Sequence, residues 1–535
     1  MKKIILLLFL IPLFGLTSAQ HFQPTRVDIK VKKDWGGFNT IACGENGVIS
    51  LYFKYKGNAL LGREKTMYVS LFDENLEEIW KKSIRLNPDL TMIDYRYDSL
   101  TENVYLLFAE STNNRGVVSL KFSKNTMLDI ITIKPEKESR RGADLLSKTS
   151  HEIALPSLNV YNEMLPVNDK LFIFTTEVRV PLFSQCCSPV NTLKTWMTPA
   201  PKNYVYQLNI ERGGDNKSIS LNHGGKYYRH KTVFLDNNQD IKYLVQANKV
   251  AKSKVNAQKL YTIDHESGSV KDVLLLDDGT RVDLQYPSAV KHNDEIIFVA
   301  MYGEDKSNVE SGLLFRYFDD NEKDFEQTFS LKEVAGKDNR KQFLGLFSSK
   351  EQTNMRFHNH SYSLDKEGNY LVIGERLSPY YETYYTYVNG SHTSYTVHVG
   401  WTYHEAYLMA FNDDHKLIWR NVFDMGNTTV YNINLVPRLM VKRLAEDKIT
   451  LMFGAGDQIS SLLIEDAEVD GKQNFFTLKS QFKKSRIKAD YIPSIEHWYK
   501  DYFIASGYVD VKKSDFFLSG KDKIYYFTKL KYEKR

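Results

Sequence analysis

Two stretches of the chain carry nearly the same phrase, and this phrase decides the fold. Residues 68–80 read YVSLFDENLEEIW, and residues 407–419 read YLMAFNDDHKLIW. Tyr, Phe, Ile and Trp hold the same four places in both, and a polar turn separates two apolar halves. Apolar runs rich in aromatic and β-branched residues, joined by a short polar turn, predict a β-hairpin.

Hairpins of the same kind recur along the whole chain. Copies of this pattern occupy residues 117–131, 204–221, 260–276, 313–331 and 462–478, and a shortened copy begins at Ile524. A second hairpin precedes each copy, and its second strand is strongly apolar. These apolar strands begin at Val48, Val104, Leu171, Ile241, Ile296, Tyr370, Ile449 and Tyr502. The repeating unit therefore has two hairpins, and it recurs about eight times.

The apolar second strands favour an arrangement in which the units lie side by side. Residues 296–301 read IIFVAM, without alternation, which is typical of a strand covered on both faces. Units that cannot bury their own apolar surface need neighbours. Long helical periods are almost absent, and the clearest short one is at residues 339–346. We therefore predict an all-β fold, a β-propeller of about eight four-stranded blades, with seven blades as the alternative.

The two ends of the repeat region predict how the ring closes. The last copy lacks a fourth strand, and residues 25–31 (TRVDIKV) form an isolated strand pattern. We expect residues 26–32 to supply the outer strand of the last blade, with a free N-terminal arm as the alternative. Residues 20–535 would then form a single propeller domain. We also expect Trp80 and Trp419 to pack between neighbouring blades.

The two related phrases resemble the end of the blade repeat in quinoprotein-type propellers, where a strand, an acidic turn and a Trp recur. The resemblance covers residues 68–80 and 407–419, and neither copy has the Thr-Gly pair expected in that turn. It implies a propeller fold. The repeated docking tryptophans and the calcium site of those enzymes are not found in the sequence, so we expect no quinone and no other cofactor.

The N-terminus has the layout of a secretory signal peptide. Two lysines precede an apolar stretch at residues 4–16, and the small residues 17–19 follow as a cleavage signal. We expect residues 1–19 to be removed and the mature chain to be exported to the periplasm, the outer-membrane surface or the extracellular space. No later stretch approaches the roughly twenty apolar residues of a membrane helix, so we expect no transmembrane segment and only peripheral contact with the outer membrane. The leader and the Tyr, Asn and Lys usage resemble exported proteins of the Bacteroidota.

Charge and motifs exclude several classes of function. The net charge of +5 is too mild to predict nucleic-acid binding, and the basic clusters at 134–141 and 483–488 are interpreted as solvated loops. No G-x-S-x-G, H-E-x-x-H, P-loop or Rossmann motif is present. The sequence assigns no catalytic residue, and an enzyme is not supported by any motif.

The three cysteines Cys43, Cys186 and Cys187 are the disulfide candidates. Cys186 and Cys187 are adjacent and lie in an insertion at residues 181–201. Adjacent cysteines can close a strained ring, which resembles the one found over the cofactor in quinoprotein alcohol dehydrogenases. A bridge to Cys43 and reduced thiols are the alternatives, because connectivity cannot be derived from sequence.

Acidic turns and histidines raise the question of a metal site. Residues 236–240 (DNNQD) have the spacing of the first half of a calcium loop, but Ile241 follows where such a loop requires Gly. Asn and Asp favour tight turns for their own local hydrogen bonding. His358 and His360 would share one face of a strand, but two ligands are too few for zinc. We predict tight turns and no metal site.

The most distinctive stretch is a Tyr-rich hairpin at residues 380–403, YYETYYTYVNGSHTSYTVHVGWTY. Asn389-Gly390 predicts a type I′ turn. Pairing outward from this turn places five candidate binding residues on one face: Tyr381, Tyr385, Tyr387, His392 and His398. The other face, with Tyr384 and Tyr395, is more apolar, and we expect it to point inward.

The Tyr-rich face suggests the function. Tyrosine offers a large apolar area with a polar end and few rotatable bonds, which suits glycan stacking or a protein interface. The main hypothesis is an interaction module at the cell envelope that binds a protein partner or a polysaccharide. The alternative is a glycan-active hydrolase or lyase with carboxylates at the mouth of the propeller channel. Tyrosines that simply pack on a neighbouring blade would remove the binding role.

Overall fold

The computed structural model describes most of the chain from residue 25 to residue 531. The residues outside the description within this range are 59–61, 115–116, 121–124, 138–144, 155–158, 178–202, 211–215, 222–226, 249–255, 278–284, 294, 303–311, 320–321, 331–332, 335–353, 389–390, 432–436, 446, 457, 479–484, 487–492 and 513–520. The expected signal peptide, the insertion at 181–201 with Cys186 and Cys187, and the short helical pattern at 339–346 therefore lie outside the described residues.

The N-terminal strand and the first three blades follow in chain order. The first strand is β1 (Arg26–Lys30). Blade 1 contains β2 (Trp35–Ala42), the 3₁₀ turn Gly44–Asn46, β3 (Val48–Asn58), β4 (Gly62–Phe72) and β5 (Glu78–Leu86). Blade 2 contains β6 (Leu90–Asp98), β7 (Asn103–Asn114), the short β8 (Val117–Leu120), β9 (Asn125–Ile133) and β10 (Leu146–Ala154). Blade 3 contains β11 (Asn159–Val167), β12 (Lys170–Glu177), β13 (Asn203–Asn209) and β14 (Lys217–Ser220).

The remaining five blades repeat this order. Blade 4 contains β15 (Tyr227–Leu235), β16 (Ile241–Asn248), β17 (Asn256–Ile263) and β18 (Val270–Asp277). Blade 5 contains β19 (Gln285–His292), β20 (Glu295–Tyr302), β21 (Gly312–Asp319) and β22 (Glu322–Ser330). Blade 6 contains β23 (Asn354–Phe357), β24 (Tyr362–Ser363), β25 (Tyr370–Val388), β26 (Ser391–Phe411) and β27 (Leu417–Val430). Blade 7 contains β28 (Met440–Ala445), β29 (Lys448–Ala455), β30 (Gln458–Glu465) and β31 (Glu468–Thr477). Blade 8 contains β32 (Ser485–Arg486), β33 (Ser494–Tyr499), β34 (Tyr502–Lys512) and β35 (Lys521–Lys531).

The described strands pair as eight consecutive antiparallel four-stranded units, which confirms the predicted β-propeller. The short β8 pairs with the end of β7 and with β11, so it joins blades 2 and 3 into one nine-stranded sheet. All eight apolar strands expected from the sequence are the second main strands of their blades. The prediction of eight blades rather than seven is therefore confirmed.

The N-terminal strand closes the ring. β1 pairs antiparallel with β35, from Arg26 opposite Thr528 to Lys30 opposite Ile524. The order in blade 8 is thus β33, β34, β35 and β1, and the outer strand comes from the other end of the chain. The prediction that this segment supplies the outer strand of the last blade is confirmed, and the free-arm alternative is wrong.

The apolar core is divided among the joints between blades. Each of eight buried clusters is shared by two consecutive blades, and one of them joins blade 8 to blade 1. In β7, Leu106 and Phe108 face blade 1, whereas Tyr105 and Leu107 face blade 3. Alternate residues of a second strand face the two neighbouring blades, so both faces of the strand must be apolar. This explains why these strands show no alternation of apolar and polar residues in the sequence.

The repeated phrase forms the outer hairpin of blades 1 and 6. Trp80 donates its Nε1 hydrogen to the carbonyl oxygen of Glu136 in blade 2 at 3.1 Å, and Trp419 donates to the carbonyl oxygen of Ala467 in blade 7. Both acceptors lie between the third and fourth main strands of the next blade. The two tryptophans therefore pack between blades as expected.

The first strand of each blade lies nearest the axis of the ring. Neighbouring first strands contact each other, as β2 does with β33 and β19 with β23. Because successive strands are antiparallel, every connection between a second and a third main strand emerges at the same end of the ring, which we call the upper face. The Tyr-rich hairpin lies on this face. Among the described residues, no helix has the length and apolar character required to cross a membrane.

Candidate functional site

The Tyr-rich hairpin is the projecting part of β25 and β26. The predicted pairs Tyr381 with His398, Tyr385 with Ser394 and Tyr387 with His392 are all found. The third strand of this sheet, β27, ends opposite Trp401, so the residues beyond it form a two-stranded ribbon. Nine residues per strand at ~3.3 Å each give a projection of about 30 Å.

Both faces of this ribbon are open to solvent. Tyr385 and Tyr381 keep 80% and 51% of their surface exposed, and on the other face Tyr384 and Tyr395 keep 42% and 37%. The expectation that the second face points inward is wrong for these two residues, because the ribbon extends past the neighbouring blades that would cover it. Tyr384 and Tyr395 instead stack on each other with ring centroids 5.6 Å apart.

A row of rings forms at the base of the ribbon. His398 lies 5.4 Å from the ring of Tyr381 and 4.7 Å from that of Trp401, measured between centroids. A register shift between Tyr380 and Tyr381 lets these rings meet. Burial lowers the pKa of His398, so the imidazole is neutral at pH 7. The side chains of Tyr387 and His392 lie outside the described residues.

The central channel holds a second group of polar residues, on the first strands of several blades. Arg96 Nη2 lies 3.8 Å from Asp94 Oδ2 and 3.6 Å from Glu163 Oε1, and His230 Nε2 lies 3.7 Å from Glu163 Oε2. The Asp94 and Glu163 side chains keep 24% and 22% of their area exposed, so solvent reaches them. Burial raises the pKa of the Glu163 carboxyl, although Arg96 and Arg356 oppose this.

Side chains cross the channel between blades that are not neighbours. The Tyr95 hydroxyl of blade 2 donates to Glu496 Oε1 of blade 8 at 3.5 Å. The same carboxylate also accepts from the Ala42 backbone N–H of the neighbouring blade 1 at 3.2 Å. Arg356 of blade 6 donates from Nη1 to the carbonyl oxygen of Lys231 in blade 4 at 2.7 Å. These crossings narrow the channel.

A fully buried carboxylate joins blades 6 and 7 beside the channel. Glu375 is 0% exposed and accepts hydrogen bonds from the backbone N–H groups of Arg438 and Leu439, each at 2.9 Å. His358 Nε2 donates to the same carboxylate at 2.8 Å, and His358 Nδ1 lies 2.9 Å from the Tyr362 hydroxyl. Glu375 and His358 therefore have a structural role.

The remaining sequence candidates are placed as follows. The Asp236 carboxylate accepts from the backbone N–H groups of Asn238 and Asp240 at 2.9 and 2.8 Å, which is the predicted tight turn. The described residues contain no group of three or more His, Cys, Asp and Glu side chains that could hold a metal ion. Cys43 is a buried free thiol in the joint between blades 1 and 2. It lies at the lower end of blade 1, between β2 and β3, and the other two candidates, Cys186 and Cys187, lie outside the described residues.

The sequence did not single out the channel residues. Asp94, Glu163 and Glu496 are three among sixty-six acidic residues, and no local motif marks them. They come together only because the first strands of different blades converge on one axis.

Glu496 provides a pH prediction. Burial raises the pKa of this carboxyl from 4.5 to about 7. As the pH rises from 4.5 to about 7, the unfolded chain releases this proton while the folded protein retains it, so stability falls across that window. At ~1.4 kcal/mol per pKa unit, the loss is roughly 1 to 3 kcal/mol. We expect Glu496→Gln to flatten this slope in denaturant titrations at pH 4.5 and 7.5. An equal slope in the variant would contradict the assignment.

Comparisons with known proteins find no match by sequence and only distant similarities by structure. No protein-family model matches the chain, and no curated protein matches its sequence. Similar solved structures include the β-propeller domain of the Trilobed protease from Pyrococcus furiosus, 9% identical with a TM-score of 0.33, over 81% of this chain and 97% of that one. An α-L-arabinofuranosidase from Lactobacillus brevis is 12% identical with a TM-score of 0.29, over 65% and 97% of the two chains. The Synechocystis apocarotenoid oxygenase is 10% identical with a TM-score of 0.33, over 77% and 95%. At these low identities and TM-scores the similarities do not indicate a function. The fold is assigned from the strand pairing described above.

Proposed function

We propose that the protein is an exported interaction module that binds a protein partner or a glycan at the cell envelope through its Tyr-rich hairpin. The observation that carries this proposal is the projecting ribbon with Tyr385 80% exposed and Tyr381 51% exposed. A two-stranded ribbon is marginal in water, and a contiguous exposed aromatic surface marks an interaction site. The narrowed channel favours binding outside the ring over chemistry within it.

The chemistry of the ribbon suits a weakly charged ligand. Glu382 is the only Asp, Glu, Lys or Arg between residues 380 and 403. The hydroxyls of Thr383 and Thr396 lie 3.1 Å apart on the same face as Tyr381 and Tyr385. Rings flanked by hydroxyl groups can stack on sugar faces and hydrogen-bond to sugar hydroxyls, and they also suit the core of a protein interface.

The test replaces Tyr385 and Tyr387 together with Ala. Tyr385 is 80% exposed, so we expect the free energy of unfolding to change by no more than about 0.5 kcal/mol. Retention of the partner, or of envelope polysaccharide, should fall at least about tenfold, as expected when two interface aromatics are removed. Binding is measured by affinity purification from the native cell envelope and by co-sedimentation with polysaccharide.

The matched control is Tyr55→Ala, because Tyr55 is 48% exposed near the upper end of β3 in blade 1. It should leave both stability and binding unchanged. If the double variant is less stable but binds normally, the ribbon tyrosines have a packing role and not a binding role. If the wild-type protein is recovered with neither a partner nor polysaccharide, the interaction-module hypothesis is contradicted.

A second candidate is a glycan-active hydrolase or lyase in the channel. Asp94 Oδ2 and Glu163 Oε1 both contact Arg96 Nη2, at 3.8 and 3.6 Å, so they lie no farther apart than the sum of those distances. Glycosidases place their two carboxyl groups roughly 5 to 9.5 Å apart, and the acid needs a raised pKa, as burial gives Glu163. If this candidate holds, Glu163→Gln abolishes release of reducing ends from polysaccharide while Glu382→Gln does not. If the wild-type protein releases no reducing ends, the hydrolase or lyase candidate is wrong.

A further inference from the structure

Two arginines face the channel without an acidic partner. Arg356 lies on β23, the first strand of blade 6, and Arg438 lies two residues before β28, the first strand of blade 7. Among the described residues, no carboxylate oxygen lies within 4.0 Å of either guanidinium. The Nε atom of each is buried and has no hydrogen-bond acceptor in the part of the chain that the structure describes. A buried N–H donor without an acceptor is rare in folded proteins and calls for a ligand or water.

The acidic groups near these arginines are held by other donors. Glu163 acts electrostatically on Arg356, and Glu496 interacts with Arg438, yet neither forms an ion pair with it. Glu163 contacts Arg96 and His230. Glu496 accepts from Ala42 N–H and lies beside the Tyr95 hydroxyl, as described above. The blades keep these opposite charges apart, because each belongs to a strand fixed in its own sheet.

One phenol adds a further donor. The Tyr403 hydroxyl hydrogen-bonds with the Arg438 side chain, and burial together with Glu375 raises the pKa of Tyr403. Tyr403 therefore keeps its proton at neutral pH and can donate it to an oxygen ligand. The Tyr95 hydroxyl, whose pKa is raised by Glu496 and then by burial, donates a hydrogen bond to Glu496 Oε1 at 3.5 Å.

We propose that the channel binds the carboxylate group of a small ligand between Arg356 and Arg438, with Tyr403 as an additional donor. The planar guanidinium fork matches a carboxylate, which can accept two N–H bonds from each arginine. A singly charged group is favoured over a doubly charged phosphate, because Glu163, Glu375 and Glu496 would repel the second charge.

The experiment uses the full mature chain and isothermal titration calorimetry. The probes are sodium glucuronate, glucose as its analogue without a carboxylate, and inorganic phosphate. We expect glucuronate to bind with a Kd below about 10 mM, glucose not to bind, and phosphate to bind more weakly than glucuronate. Glucuronate that does not bind, or phosphate that binds more tightly, would overturn the proposal with the wild-type protein alone.

Variants then locate the site. Arg356→Gln and Arg438→Gln should each weaken glucuronate binding at least tenfold, and Arg356→Lys should restore only part of it, because Lys keeps the charge but lacks the planar fork. Arg420→Gln, on the exposed face of β27, is the matched control for removal of one positive charge. Circular dichroism checks that each variant is folded, and equal binding by folded Gln variants would contradict the assignment. The Tyr385 and Tyr387 variant should keep glucuronate binding, so failure of this proposal and failure of the hairpin proposal can be told apart.

Discussion

A chain that begins at residue 32, without β1, is expected to lose the protection of blade 8 against hydrogen exchange. β1 contributes backbone pairing along five residues, and Val27 and Ile29 pack on the cluster between blades 8 and 1. Arg26 adds a guanidinium 4.1 Å from the ring centroid of Tyr526. Two apolar side chains at ~1.5 kcal/mol or more each, with several hydrogen bonds at ~0.5–1.5 kcal/mol, sum to about 5 kcal/mol. Exchange of the β35 amides should therefore accelerate on the order of a thousandfold.

The matched control for this truncation is a chain that begins at residue 25 and keeps β1 intact. It should exchange like the full chain in every blade. Hydrogen exchange measured by mass spectrometry resolves β34 and β35 from the other blades, whose amides should be affected much less. Unchanged protection of β35 in the shorter chain would mean that β1 adds little to the closure.

The second large effect is expected for Glu375→Gln. The carboxylate accepts from two backbone N–H groups and from His358 in a site with no exposed surface. An amide NH₂ group placed among these donors leaves at least one of them without an acceptor. Breaking a buried charged network in this way costs about 3–5 kcal/mol. We expect the first unfolding transition in guanidinium chloride to move to lower denaturant by a corresponding amount.

Glu382→Gln is the control for the same substitution in the same blade. Glu382 lies in the projecting ribbon, where its carboxylate accepts from the exposed Tyr384 hydroxyl at 2.7 Å. Its replacement should change stability by about 0.5 kcal/mol or less. If Glu375→Gln were equally mild, the bonds to Arg438 and Leu439 would not be what anchors the start of blade 7.

The sequence predicted the features that depend on local pattern. Strand pairs joined by short turns are encoded within a few residues, so the eight apolar strands, the register at Tyr385 and the roles of Trp80 and Trp419 could all be derived. Closure by β1 followed from counting strands, since one blade lacked a partner strand and one strand lacked a blade.

The channel could not be derived in this way. Arg356 and Glu163 lie almost two hundred residues apart in the sequence. Only the closure of the whole ring brings the two side chains near enough to interact electrostatically. The direction of the Tyr-rich hairpin was predicted from apolar content alone. Its length was the better signal, because β25 and β26, with 19 and 21 residues, are about twice as long as most second and third strands of the other blades.

The strand β8 makes the ring mechanically uneven. Most joints are held by side-chain packing, whereas β8 adds backbone pairing of Leu120 and Ser119 with Asn159 and Val160 across the joint of blades 2 and 3. The joint of blades 5 and 6 has a smaller reinforcement of the same kind, a backbone bridge between Lys291 and His360. These two joints should resist sliding more than joints held by side chains alone, so flexing of the ring should concentrate in joints such as the one between blades 6 and 7, beside Arg438.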